Sequence, residues 1–406
     1  MDAGQVWKLQ QAVTAAGLAG MAEGDLLRLF CEGLRDGGVP LGRANAVVDT
    51  LHPVHEGRAF KWRRDETNMP LVIEYGRTNV AGEAQDKWRQ STFYHLFSTG
   101  QSQLRCRLAS DPNTDFTVYD ELRAEGQTDY VVMAHRFSAE SAVGEFDCIY
   151  TSWMTDHAEG FTDEQVAVLA DLAPTLALAI KSTSLARIAE TLMETYLGRD
   201  AGRRVLSGRI ERGVAEQIGA VLWFSDLRHF TQVTDQVEPE LIIPFLNDYA
   251  DAAISSIHEA GGDVLKLVGD GVLAIFQGSA RAEACRCALK AERLFRSRLD
   301  ALNRERGAAG LPVTDAYLGL HIGKVFYGNI GSQERLDFTV VGPAVNEVSR
   351  IAALCRSVEQ DVLVSTAFRD AVAPEGRGAF ISVGRYALRG VARPQELFTL
   401  DPDLRG

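Results

Sequence analysis

The chain has 406 residues, of which 46% are hydrophobic and 24% charged, and a formal net charge of −13. That length exceeds one ordinary core, so two or three domains are expected, with the composition of a soluble globular protein. The acidic balance argues against a nucleic-acid-binding surface, which needs clustered Lys and Arg. No run of about 18 apolar residues occurs, so no membrane span is expected. The opening Met1-Asp2-Ala3-Gly4 lacks the basic-then-apolar pattern of a secretory signal. The six cysteines (Cys31, Cys106, Cys148, Cys285, Cys287 and Cys355) have neither zinc nor thioredoxin spacing and read as reduced core thiols of a cytoplasmic protein. No H-x-x-x-H pair among the histidines supports a structural zinc.

Residues 1 to about 160 read as α/β. A helical pattern covers Glu23 to Arg35, with Leu26, Leu27, Leu29, Phe30 and Leu34 on an apolar face and Gly37-Gly38 ending it. Strand-like segments follow at Ala44–Leu51, Arg58–Arg63, Gln103–Leu108, Tyr130–His135 and Phe146–Trp153, with a turn at Asp111-Pro112-Asn113-Thr114-Asp115. The aromatic residues Phe60, Trp62, Phe93, Tyr94, Phe97, Tyr119 and Tyr130 suit either a core or a pocket, and Trp62, in Lys61-Trp62-Arg63-Arg64, is the most pocket-like.

A capping box at Thr162-Asp163-Glu164-Gln165 opens a long helix. Leu169, Leu172, Leu176 and Ile180 form a stripe, Lys181-Ser182-Thr183-Ser184 interrupts it, and Leu185, Ile188, Leu192 and Tyr196 resume it. Such a stripe packs against a partner helix or lies on its own domain. Gly198-Arg199-Asp200-Ala201-Gly202 breaks the helix, and a connector runs to about Gly213. From Ala220 the order is strand (220–225), helix (238–260), hairpin (263–276), helix (280–306), strand (315–322), a Gly-punctuated loop, strand (337–341) and helix (344–355). Helices alternating with strands around one tight hairpin fit an α+β sandwich with a mixed sheet.

Three clusters carry chemistry. Val221-Leu222-Trp223-Phe224 reads as a buried strand that delivers Asp226 to a strand-to-helix turn, where backbone amides suit phosphate. A carboxylate there repels phosphate unless a cation bridges them, although an aspartate in that place also serves as a helix cap. Gly269-Asp270-Gly271 is a hairpin tip with a second carboxylate, and Lys266 lies within an otherwise apolar arm, where a buried lysine must be paired or used. Asn346 and Arg350, four apart, share a helix face, an amide and a guanidinium suited to ribose and phosphate or simply to a polar surface.

Taken together, Phe-Ser-Asp-Leu-Arg-x-Phe-Thr at 224–231, Lys-x-x-Gly-Asp-Gly at 266–271 and Thr-Val-Val-Gly-x-x-Val-Asn-x-x-x-Arg at 339–350 resemble the catalytic domain of class III nucleotidyl cyclases. The resemblance implies metal-binding roles for Asp226 and Asp270, each site holding two Mg²⁺ or Mn²⁺. It implies adenine recognition by Lys266, ribose orientation by Asn346 and transition-state stabilisation by Arg350. Thr339 places the chain with the threonine, class IIIb-like, branch. Phe230, Thr231 and Arg389 match looser substrate contacts. The implied reaction converts ATP to cyclic AMP at a homodimer interface. His229 stands where the family usually has glycine, and Pro343 where aspartate is common. The N-terminal half, ending in Gly160-Phe161-Thr162-Asp163-Glu164 and a long exit helix, resembles a GAF sensory domain, implying an unidentified small-molecule or protein signal. The expected fold is thus α+β: a class III cyclase α/β sandwich with a ferredoxin-like core (214–406), preceded by a GAF-like α/β sensor (1–160) and a helical linker (161–213).

Overall fold

The first helix, α1 (Ala3–Leu18), begins at Asp2, whose carboxylate accepts from the Gln5 amide while the Gln5 side chain accepts from the Asp2 amide. This reciprocal cap satisfies two otherwise orphaned donors. The computed structural model describes residues 1–66, 71–79, 81–110, 115–138, 140, 142–389, 391 and 393–401. The chain forms two units, Met1–Leu192 and Met193–Gly406. Four residues of the expected turn, 111–114, lie outside the described residues.

The first unit continues with α2 (Glu23–Asp36), β1 (Arg43–Asp49), β2 (Gly57–Arg63), β3 (Leu71–Tyr75), α3 (Glu83–Arg89), α4 (Thr92–Thr99), β4 (Gln103–Cys106), α5 (Thr117–Ala124), β5 (Asp129–Arg136), β6 (Cys148–Thr155) and α6 (Asp163–Leu197). Its strands pair antiparallel in the order β3-β2-β1-β6-β5-β4. Alternate side chains serve opposite faces. Val131 and Met133 join the core formed with α1, α2 and α6, whereas Tyr130, Val132 and Ala134 join a second core with α4 and α5. That two-residue alternation lets one strand bury both sides.

One expectation is corrected here. Trp62, the most pocket-like aromatic residue of the sequence, lies in the main core, 5% exposed. The helix at 163 runs to Leu197 as expected, and where the apolar stripe is interrupted Ser184 is nevertheless buried and donates to Glu23 at 3.3 Å. Leu169, Leu172, Leu176 and Ile180 are fully buried in the unit's own core, so that stretch of the stripe lies on its own domain. By length and composition alone α6 is apolar enough to cross a membrane, with a mean hydropathy of 1.4 over its best window, but 44% of that window is buried inside the protein. The first turn of α6 is held by Arg105. Its guanidinium donates to buried Asp129 at 2.7 Å, to the Phe161 carbonyl at 2.5 Å and to Asp163 at 2.7 Å.

The expected connector instead contains a helix, α7 (Arg199–Leu206). There follow β7 (Ala215–Leu227), α8 (Phe230–Gln236), α9 (Pro239–Glu259), β8 (Asp263–Val268), β9 (Gly271–Phe276), α10 (Arg281–Ala308), β10 (Ala316–Gly331), β11 (Leu336–Val341), α11 (Pro343–Cys355), β12 (Val362–Ser365), α12 (Thr366–Ala371), β13 (Phe380–Tyr386) and β14 (Gln395–Leu400). The sheet order is β13-β14-β12-β10-β7-β9-β8, with β11 pairing the far end of β10. The β10–β12 pair is parallel and its neighbours are antiparallel, so the sheet is mixed. The expected glycine-punctuated loop after 322 is strand, because β10 pairs β7 from Ala316 to Gly328. Trp223, Phe276 and Phe295 fill the core under α9 and α10. On the other face α11 rests on β10 at Gly319, where an added Cβ would lie 2.7 Å from the Val348 carbonyl oxygen.

Candidate active site

Antiparallel pairing of β7 with β9 sets Ser225 opposite Val272, which brings the end of β7 beside the tip of the β8–β9 hairpin. Val268 pairs with Gly271 across that tip, and Gly269 takes φ 62°, a conformation that favours glycine. Asp270 is therefore carried to Asp226. The Leu227 amide donates to the Asp270 carboxylate at 3.2 Å. Burial, then the neighbouring Asp270 charge and a hydrogen bond to it, push the Asp226 carboxyl from its usual 3.8 up to about 7. Two acids placed so closely resist ionising together. Both line a cavity of about 180 Å³ with Ser225, Ile243, Asn247, Leu267 and Ala316.

Downstream of Asp226, His229 adopts φ 54°, in the left-handed region. Glycine suits that conformation better, which gives a physical reason for the residue usual in the resembled family. Phe230 starts α8 and stacks on Phe245 with centroids 6.4 Å apart, as part of the core wall. Thr231 is exposed, and its carbonyl accepts from Thr234.

The remaining candidates lie outside that cavity. Lys266 is not buried as the apolar arm suggested. Pairing shifts register between Val264 and Lys266, so Leu265 enters the core and Lys266 turns outward. Bulges re-aim side chains in this way. Lys266 forms an ion pair with Asp337 on β11. Thr339 is two residues further along the same strand, and Phe338 and Val340 between and beyond them point into the core. Gly342 then turns the chain into α11, which presents exposed Asn346 and half-buried Arg350 one turn apart. Among the described residues the Arg350 guanidinium has no ion-pair partner. Arg389 is exposed after β13.

The structure thus gathers Asp226 with Asp270, and Lys266 with the strand of Thr339. Asp337 was missed in the sequence. Its only signal is the two-residue spacing to Thr339, which puts both on one strand face.

Among the described residues no group of three or more metal-ligating His, Cys, Asp or Glu side chains exists. The donor set of Asp226 and Asp270 still fits a hard divalent cation. Both are oxygen ligands, and the repulsion that raises Asp226 is what a cation relieves.

Residues 214–401 match the family described as the adenylate and guanylate cyclase catalytic domain. The chain is 37% identical over 160 residues to an adenylate cyclase of Anabaena cylindrica, a match covering 38% of this chain and 31% of that protein. It is 28% identical over 214 residues to adenylate cyclase 1 of Rhizobium meliloti, covering 49% of this chain and 32% of that protein. The chain thus spans about a third of the length of these curated relatives. The crystal structure of the adenylyl cyclase CyaB from P. aeruginosa shares 22% identity at a TM-score of 0.42, covering 46% of this chain and 95% of that one. The match over residues 214–401 supports a class III adenylate/guanylate cyclase catalytic domain in the second unit.

Proposed function

We propose that the chain is an adenylate cyclase that converts ATP to 3′,5′-cyclic AMP and pyrophosphate in a site shared by two copies, under control of its first unit. The observation that carries this reading is the convergence of Asp226 and Asp270 at one cavity. In the reaction the 3′-oxygen forms a bond to the α-phosphorus, the bond from that phosphorus to the bridging oxygen breaks, pyrophosphate leaves and the 3′-hydroxyl proton is lost. Asp226 and Asp270 would hold two divalent cations, Mg²⁺ or Mn²⁺, which supply charge neutralisation and acidify the hydroxyl. The Leu227 and Arg228 amides donate to Asp270 and to the Asp315 carbonyl, so phosphate oxygens would be received by the amides beyond Arg228, at the turn into α8. Lys266 donates to adenine N1, where guanine presents a donor instead. Asn346 orients the ribose, and Arg350 offsets charge that develops on the α-phosphate. Thr339 and Arg389 complete the substrate contacts.

Two observations support a shared site. The cavity of about 180 Å³ is smaller than the roughly 300–1,000 Å³ usual for small-molecule sites, so one chain offers only part of one. In addition, Leu267, Val268, Phe326, Ile330, Leu336 and Val341 leave apolar side chains exposed along β8, β10 and β11, beside Lys266 and Thr339. A second copy would cover them.

Regulation by the first unit rests on its separate core, its resemblance to a sensory domain and the 35-residue α6 that leaves it. The test is turnover by the full chain with ATP, GTP, UTP and CTP, each with Mg²⁺ or Mn²⁺, and chromatographic identification of the product. Cyclic AMP from ATP at the highest kcat/KM is expected. Preference for another triphosphate overturns the base assignment, and no turnover with any of them reduces the domain to a binding or dimerisation module.

A further inference from the structure

We infer that Asp337 is a positioning residue for Lys266 and, through it, sets which purine the site accepts; this rests on the reading of Lys266 given above. The ion pair between them is the starting observation. Three features place it at the site. A bulge at Leu265 is what turns Lys266 to the surface. Asp337 shares a strand face with Thr339, and both precede the turn at Gly342 into the helix of Asn346 and Arg350. Finally, the side chains of Lys266 and Asp337 remain 48% and 44% exposed, open to an incoming base.

Such an exposed pair adds little to stability, so a structural role explains it poorly. Its effect on the lysine is larger. A free lysine samples many rotamers, and each ordered contact it makes must overcome that freedom. The ammonium has three protons and no acceptor. With one proton committed to Asp337, the head group is held in place while two protons stay available. One can meet adenine N1, an acceptor, whereas the N1–H of guanine meets a donor and is rejected. Asp337 therefore supplies pre-organisation and leaves the base contact to Lys266.

The test uses the full chain and the variants Asp337→Asn, Asp337→Glu, Lys266→Met and the Lys266→Met/Asp337→Asn double. Asp337→Asn should raise KM for ATP about tenfold and lower the ATP-over-GTP ratio of kcat/KM by a similar factor, with kcat changed less than about threefold. The melting temperature should stay at the wild-type value. Asp337→Glu should restore most of the ratio. In the Lys266→Met background, Asp337→Asn should have no further effect, because the residue acts only through the lysine. An unchanged ratio in Asp337→Asn, a lower KM for ATP, or an undiminished effect in the double variant would each overturn the inference. Equilibrium binding of N-methylanthraniloyl-ATP and N-methylanthraniloyl-GTP reads the same selectivity without turnover. If the wild type turns over no triphosphate the proposed function fails. The binding ratio then still decides the role of Asp337.

Discussion

The amide of Leu227 donates to the carboxylate of Asp270, 43 residues further along the chain, at 3.2 Å. That bond ties the end of the central strand to the hairpin tip and fixes the separation of the two candidate metal ligands. Replacing either Asp226 or Asp270 with asparagine keeps the shape and removes a charge. Turnover should fall by about a thousandfold or more while the far-ultraviolet circular dichroism spectrum stays unchanged. Wild-type activity in either variant would take that residue out of the catalytic role.

The raised Asp226 carboxyl has a pH consequence whose sign can be worked out. Between the usual 3.8 and about 7 the unfolded chain is ionised there while the folded chain keeps the proton. The folded state thus binds more protons, so metal-free stability falls as pH rises through that window and levels off above it. Asp226→Asn should flatten this part of the curve. A divalent cation must displace the proton below pH 7, so Mg²⁺ or Mn²⁺ should raise the melting temperature more at pH 8 than at pH 6. Thermal denaturation with and without cation, at both pH values, checks it, and an equal rise at the two would contradict the assignment.

A shared site predicts complementation. Asp226→Ala and Asn346→Ala chains should each be inactive alone. Mixed after subunit exchange, they should recover roughly a quarter of wild-type turnover, since half of the dimers are mixed and each has one intact site. Absence of recovery, with mixed dimers demonstrated by differential tagging, would rule out sharing.

Packing around Gly319 offers a probe distant from any substrate contact. A side chain there would collide with the backbone of α11 at Val348 and Ala352. Gly319→Val should cost about 1–3 kcal/mol of stability and displace the helix that carries Asn346 and Arg350. Urea denaturation together with steady-state kinetics would show both effects, and a loss of stability without loss of kcat would separate the helix from catalysis.

Most of this architecture was legible because the local signals agreed. The capping box at Thr162, the Gly-Asp-Gly tip and the apolar run before Asp226 each specify an element by short-range chemistry. What escaped reading depended on partners far away in sequence. Ser184 looks like an interruption until Glu23 is beside it. Trp62 looks pocket-like in a basic tetrapeptide, yet its strand neighbours carry it into the core. Lys266 appeared buried because its neighbours are apolar, and a one-residue bulge reversed its direction. Asp337 gave no local cue beyond its spacing, since its meaning lies in a lysine 71 residues away.

Arg105 has a mechanical consequence for the long helix. One guanidinium holds an inaccessible strand carboxylate, the carbonyl before the helix cap and an acid in the first helical turn. The opening turn of α6 is thereby coupled to β4 and β5 as a rivet couples two plates. A tilt of those strands moves the helix start with them, whereas a rotation of the helix about its own axis would have to strip ligands from a charge that lies beside a carboxylate with no access to water.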